Sequence, residues 1–218
     1  MMNKLIKTFA VISSALVGAC GIHQAKPIQG VVQDSLTNEP INNALIIAEW
    51  RLVSGFFHPV EAGVASIQEA RTDEKGHFTI PGWQTSLVLN SVARNAPEVR
   101  IYKPGYFLGY FPNKSGDSSY RFSLDSSWSG DTFLLNPQKE DSNLQNQINT
   151  LESLANIFTY RWGKEPCFWE RVPQTSAVVV EAKIKFSENN ISNRLPRIES
   201  FSGKGCSDPM VVLKEYMQ

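Results

Sequence analysis

Residues 72–83, TDEKGHFTIPGW, constrain the fold more than any other stretch of this chain. Thr-Asp-Glu-Lys-Gly has the composition of a turn, and Gly76 is free to take the positive φ that a tight hairpin requires. Phe78 and Ile80 alternate with His77 and Thr79, so the short strand leaving the turn has one apolar and one polar face. A turn of this kind needs strands on both sides. Residues 28–137 are therefore read as strands packed around a hairpin. The full 218 residues have room for one medium domain, or a small domain with an extension.

Strand signals continue in both directions. Residues 28–32 read as a first strand and 44–50, ALIIAEW, as a buried one. Between them DSLTNEPI is a turn: Asn38 tolerates the left-handed conformation, and Pro40 stops pairing ahead of the next strand. Residues 65–72 climb back into the central turn. Residues 86–95 hold an apolar patch, LVL, and then polar linker. Residues 99–102 are a strand, KPG at 103–105 a turn, and 106–111 are dense in aromatics. After a polar loop at 113–119, residues 120–124 and 132–135 are the last strands, joined across Ser129, Gly130 and Asp131.

Three of these stretches, QGVVQDSLTNEPINNALIIAEW, TDEKGHFTIPGW and YKPGY, together resemble the carboxypeptidase regulatory-like domain. That family has a transthyretin-like (prealbumin-like) antiparallel β-sandwich. Gly30, Val32, Asp34, Thr37, Pro40, Ile41, Thr72, Asp73, Gly76, Phe78, Lys103, Gly105 and Tyr106 stand where its pattern has residues. Asn38 stands where it often has glycine, and both suit a left-handed turn position. The resemblance implies a mainly β fold: a sandwich over 28–137 followed by a helical extension over 138–218. Each motif is a turn-and-strand device, so the likeness speaks for fold and says little of function.

The N-terminus reads as a targeting segment, residues 1–19. Lys4 and Lys7 are its positive region, and 9–17 is an apolar run well short of the roughly 20 residues a membrane span needs. It ends LVGAC, which resembles a bacterial lipobox with lipidation at Cys20. A plain secreted protein with Cys20 free or paired is the alternative. Several acyl chains on one cysteine would anchor the chain stably. Gly21 in place of Asp after that cysteine suggests, by analogy with lipoprotein sorting, the outer membrane, with the protein facing the periplasm. Residues 20–27 are expected as a lipidated tether. Removing 1–19 takes away two lysines and no acid, leaving 19 basic against 21 acidic residues. No basic excess points to nucleic acid.

With Cys20 lipidated, Cys167 and Cys206 remain of the three cysteines. In an oxidising compartment an even pair is most simply a disulfide, two unrelated buried thiols being the alternative. After Pro137 the pattern turns helical. Asp141 and Ser142 can cap a helix, and Leu144, Ile148, Leu151, Leu154, Ala155 and Phe158 recur at spacings of three and four until Gly163. Residues 177–186 alternate as a strand would, yet Val178, Val179, Ala182 and Phe186 also share a helix face. A partial likeness of CFWERVP at 167–173 to lipoprotein extensions favours the helix. Ser207-Asp208-Pro209 marks a closing helix over 210–217.

No catalytic constellation is legible. His58-Pro59-Val60-Glu61 matches the short part of a zinc carboxypeptidase motif, but only His77 follows it, and a catalytic zinc needs three protein ligands on a rigid frame. Transthyretin-like hydrolases of a purine-breakdown product have a Tyr-Arg-Gly-Ser tail, whereas this chain ends KEYMQ. There is no nucleophile elbow and no phosphate-cradling glycine loop. No catalytic residue, metal or cofactor is therefore assigned. Aromatics at loop ends can form a platform for a glycan, peptide or protein, and Phe56, Phe57 and Tyr110 are expected to be exposed. The leading expectation is a non-catalytic module held at the membrane through Cys20 and binding an envelope protein or glycan. The alternatives are a structural subunit of an envelope complex and a small hydrolase with an unrecognised site.

Overall fold

The computed structural model describes residues 21–54, 60–87, 92–93, 97–113, 124–139, 144–159, 165–201 and 203–217. The strands among them are β1 (Gly21–Ala25), β2 (Ile28–Asp34), β3 (Leu45–Ser54), β4 (Val60–Arg71), β5 (His77–Ile80), β6 (Trp83–Leu87), β7 (Val92–Ala93), β8 (Glu98–Tyr102), β9 (Gly109–Phe111) and β10 (Thr132–Leu135). Three α-helices follow: α1 (Leu144–Thr159), α2 (Pro173–Glu188) and α3 (Pro209–Lys214). The fold is mainly β, with the helices gathered behind the last strand.

The strands form a small sheet in the order β10-β2-β5, a larger one in the order β4-β3-β8-β9 with β7 also on β3, and a ribbon of β1 and β6. Ile28, Val32, Phe78, Ile80, Phe133 and Leu135 of the small sheet pack on Ile46, Ala48, Trp50, Val99 and Ile101 of the larger one. The other face of the larger sheet, through Leu45, Ile47, Val64 and Ile67, packs on the helices. β3 is thus covered on both faces, which is why ALIIAEW is a nearly unbroken apolar run and not an alternating one. The order of layers is sheet, sheet, helices.

Three expectations change among the strands. The central turn is not a hairpin. β4 enters it from the larger sheet, while β5 leaves it to pair with β2, Ile28 opposite Ile80 and Gly30 opposite Phe78. Thr72 Oγ1 donates to Ile41 O at 2.7 Å and accepts from Ala44 N at 2.8 Å. Asp73 Oδ1 accepts from the backbone N–H groups of Lys75 and His77. Side chains thus satisfy backbone groups that a hairpin ladder would have used, and the turn carries the chain between layers. Gly76 does take a positive φ, +76°, and a Cβ there would meet Val32 O at 2.5 Å.

Second, the expected tether contains β1, which pairs antiparallel with β6 along all of Gly21–Ala25. At its inner end Ala25 and Trp83 pack on the core between the sheets. Third, the sandwich is not wholly antiparallel, since β10 lies parallel to β2. Parallel neighbours need a long connection, and here the chain passes through the larger sheet between them.

The ambiguous residues 177–186 are helical, inside α2, with Ala177, Val179, Val180 and Phe186 buried. In α1 the expected face holds from its second turn, with Ile148, Leu151, Leu154, Ala155 and Phe158 buried, whereas Leu144 at its start is exposed. Asp208 caps α3, accepting from Met210 N, but that helix stops at Lys214. Cys167 and Cys206 are joined in a disulfide, Cα atoms 5.3 Å apart. It fastens the start of α3 to the 3₁₀ turn Phe168–Arg171 that leads into α2.

Candidate functional site

The helices dock on the larger sheet through a polar device. On β4, Ile67, Glu69 and Arg71 alternate onto the face toward the helices. Pro173 opens α2, but the capping position is Val172, whose side chain has no acceptor for the free N–H groups of the first turn. Glu69 supplies it from across the seam. Its carboxylate accepts from Gln174 N at 2.9 Å, from Thr175 N at 2.7 Å, and from the Thr175 hydroxyl. Arg71 Nε donates to Gln174 Oε1 at 2.9 Å, and Nη1 to Asn43 Oδ1 at 3.0 Å. Burial pushes the Glu69 carboxyl above the ordinary range, against those hydrogen bonds and the nearby Arg71 charge.

Beside this latch lies an open cleft of about 1060 Å³. The sheet side contributes Asn43, Arg71, Tyr102, Lys103 and Pro104. The helical side contributes Glu181, Lys185 and Glu188 of α2, with Lys214 and Met217 at the end of the chain. Burial, with the Glu181 carboxylate, pushes the Tyr102 phenol up to about 12, so it stays an O–H donor at neutral pH. Burial first, then the Arg71 guanidinium, lowers the Lys103 ammonium. Its Nζ donates to Asn42 O at 2.7 Å. Among the described residues its lining contains no His, Cys, Ser or Thr. A small cavity of about 150 Å³ lies on the other side of the Lys103–Pro104–Gly105 turn.

Tyr110 is exposed as expected, with 52 % of its surface open. Its ring lies 5.7 Å from the Arg100 guanidinium carbon, at the edge of an ionic cluster on the larger sheet. Arg100 bonds Glu49 and Glu98, each at 2.9 Å, and Arg51 reaches Glu98 at 3.0 Å. Glu49 is buried, 2 % exposed. The cluster carries two acids and two bases, so it neutralises itself. Phe107 is also exposed, while Phe111 turns inward onto Phe133 and Trp128. Cys20, Phe56, Phe57 and His58 lie outside the described residues. His77 is exposed on β5.

Sequence reasoning missed Glu69, Arg71 and Glu181. The one available signal was a strand, residues 65–72, whose Ile67 face continues into an acid and a base. Such a face has to meet something polar. Cys167, Glu170 and Cys206 cluster closely enough for a metal, but both sulfurs are in the disulfide, and Glu170 accepts from Ser207 N.

No family model matches the chain, and no curated protein matches it. Among solved structures it is similar to a 3-chlorocatechol 1,2-dioxygenase from Rhodococcus opacus, at 14% identity over 53% of this chain and 61% of that one, TM-score 0.31. The dioxygenase domain of a dioxygenase carbohydrate-binding protein fusion from Streptomyces is similar at 18% identity, over 55% of this chain and 82% of that one, TM-score 0.31. The C-terminal domain of the shaft pilin spaA from Lactobacillus rhamnosus GG is similar at 12%, over 54% of this chain and 99% of that one, TM-score 0.24. This chain spans about three fifths of the length of the first of these.

Proposed function

We propose that this chain is a lipid-anchored envelope lipoprotein in which a carboxypeptidase regulatory-like sandwich and its docked helices form a non-catalytic interaction module. The observation that carries the reading is the seam cleft. It lies where the two parts meet, and it is lined by hydrogen-bond donors, two carboxylates and apolar side chains, with no nucleophile paired to a base among the described residues. Tyr102, its most shifted group, is held protonated, which suits a hydrogen-bond donor and not a general base at neutral pH. The family resemblance is supported by the roles its residues play. Asp34 accepts from Leu36 N and Thr37 N and from the Tyr106 hydroxyl at 2.9 Å, so the first turn motif is tied to the KPGY motif.

β1 begins one residue after Cys20, so an acyl anchor would hold the β1–β6 ribbon close to the membrane, facing the periplasm. Among the described residues no helix is long and apolar enough to cross a membrane. A second reading, a subunit of an envelope assembly, is favoured by Met210 and Val211 on α3, 53% and 68% exposed. Mass spectrometry of the mature protein tests the anchor: acyl chains on Cys20 are expected, and an unmodified N-terminus elsewhere ends the lipoprotein reading. Cross-linking in intact envelopes tests the module. One reproducible partner, protein or glycan, is expected with wild type and lost in Tyr110→Ala or Lys103→Gln. Loss in Met210→Ser/Val211→Ser alone would favour the assembly subunit.

A further inference from the structure

Arg71 and Lys103 enter the seam cleft from the ends of two strands that flank β3, Leu45 lying between Arg71 on one side and Tyr102 on the other. All their hydrogen bonds among the described residues go to neutral oxygens: Gln174 Oε1, Asn43 O and Oδ1, and Asn42 O. Neither is in an ion pair among the described residues, whereas Arg51 and Arg100 one strand over are neutralised by Glu49 and Glu98. Burial and, after it, repulsion by the Arg71 guanidinium lower the Lys103 ammonium. An anion between them would relieve that repulsion. Lys185 and Lys214 add positive charge on the helical wall, against Glu181 and Glu188, so cations outnumber acids four to two in the cleft lining, with the buried Glu69 carboxyl behind Arg71. Pro104, Val178, Ala182, Ile184 and Met217 make the remaining wall largely apolar.

We propose that the seam cleft binds an oxyanion carried on an apolar body, a carboxylate or a phosphate, with Arg71 and Lys103 holding the charged group. The guanidinium presents N–H groups in a planar fork that matches either oxyanion, and the Tyr102 hydroxyl is a neutral donor beside it. The apolar wall takes the body. This rests on the reading of the chain as an interaction module and names the ligand class.

Calorimetry on the full chain in non-ionic detergent tests it with three probes: N-acetylphenylalanine, its uncharged amide, and phenyl phosphate. At least one anion is expected to bind about tenfold or more tightly than the amide, the scale of one charge-assisted hydrogen bond. Lys103→Gln is expected to lose about tenfold for that anion, while Lys75→Gln, outside the cleft, changes nothing. Arg71→Ala is expected to lose more, but it also loosens α2, so Lys103→Gln decides. Which anion binds separates carboxylate from phosphate. Equal binding of anion and amide, no binding by either anion, or an unchanged Lys103→Gln overturns the proposal. Partner capture in cross-linked envelopes is scored separately, so a failed oxyanion site with retained capture leaves the module reading standing.

Discussion

Each of the two cores of this molecule holds a buried tryptophan, and the two are treated differently. Trp50, between the sheets, donates from Nε1 to Leu124 O at 2.8 Å. Trp169, beneath the helices, is fully buried and its Nε1 has no partner among the described residues. A second contrast lies in the devices that close the two cores. The sandwich has turns whose own side chains bond nearby backbone, as at Asp34 and Asp73, beside longer ties such as Tyr106 to Asp34 and Trp50 to Leu124. The helical layer is closed by long-range ties: a disulfide 39 residues apart in sequence, and a helix capped by Glu69 from more than a hundred residues away. Local devices form wherever their short sequence is present. The Glu69 cap forms only once the sheet exists to present it, so the helical layer depends on the sandwich for the start of α2.

The comparison can be broken or sharpened by experiment. The largest effect is expected from the disulfide. Cys167→Ala/Cys206→Ala should cost about 2–4 kcal/mol in the chain-entropy model. In hydrogen exchange the loss should concentrate in α2 and α3 and spare β3 and β5. An equal loss in both layers would show that they unfold as one unit.

Next come the tryptophans. Trp50→Phe removes a buried donor and strands Leu124 O, whereas Trp169→Phe removes a group without a partner among the described residues. Denaturant titration should find Trp50→Phe more destabilising than Trp169→Phe by about 1–3 kcal/mol, the cost of one unsatisfied buried polar group. Equal costs would mean that Trp169 Nε1 is satisfied in solution.

The smallest effect, and the one with a sign that depends on pH, belongs to the two carboxyls. Glu69→Ala should cost about 0.5–2 kcal/mol, as helix-cap removals do. Burial raises the folded pKa of Glu69 above its ordinary 4.5, so its contribution is full below that pH and is lost as pH rises through the folded value. Glu69→Gln should therefore compare better with wild type at pH 7 than at pH 4. Asp34 behaves oppositely. Backbone N–H groups of Leu36 and Thr37 lower its pKa from 3.8, so its contribution is present above that pH and is lost as pH falls through the folded value. Stability curves of Glu69→Gln and Asp34→Asn should thus tilt in opposite directions. Parallel curves would remove the distinction between latch and turn.

Most of the sandwich was legible because its information is local. A positive φ at Gly76 and one at Asn38 in the DSLTNEPI turn each follow from a few adjacent residues, as does the capped proline start at Pro209 in the helical layer. The disulfide was legible by counting cysteines. The central turn was misread because turn residues state that the chain reverses, and not which strand it will pair with. The tether was misread because a two-stranded ribbon needs no apolar alternation to form. Tyr110 could be named as exposed, but its place over Arg100 depends on the register of β8 against β9.

By itself the amino-acid sequence determined the mainly β class, the helical extension and the turn geometry, since these rest on periodicity and on residues within a few positions of one another. The tertiary structure alone decided which strands share a sheet, what caps α2, and that Arg71, Tyr102 and Lys103 share a cleft with Glu181 and Lys185. Those pairings join residues up to a hundred or more positions apart. No short-range preference encodes them, and they are settled only when the helices bury the open face of the larger sheet.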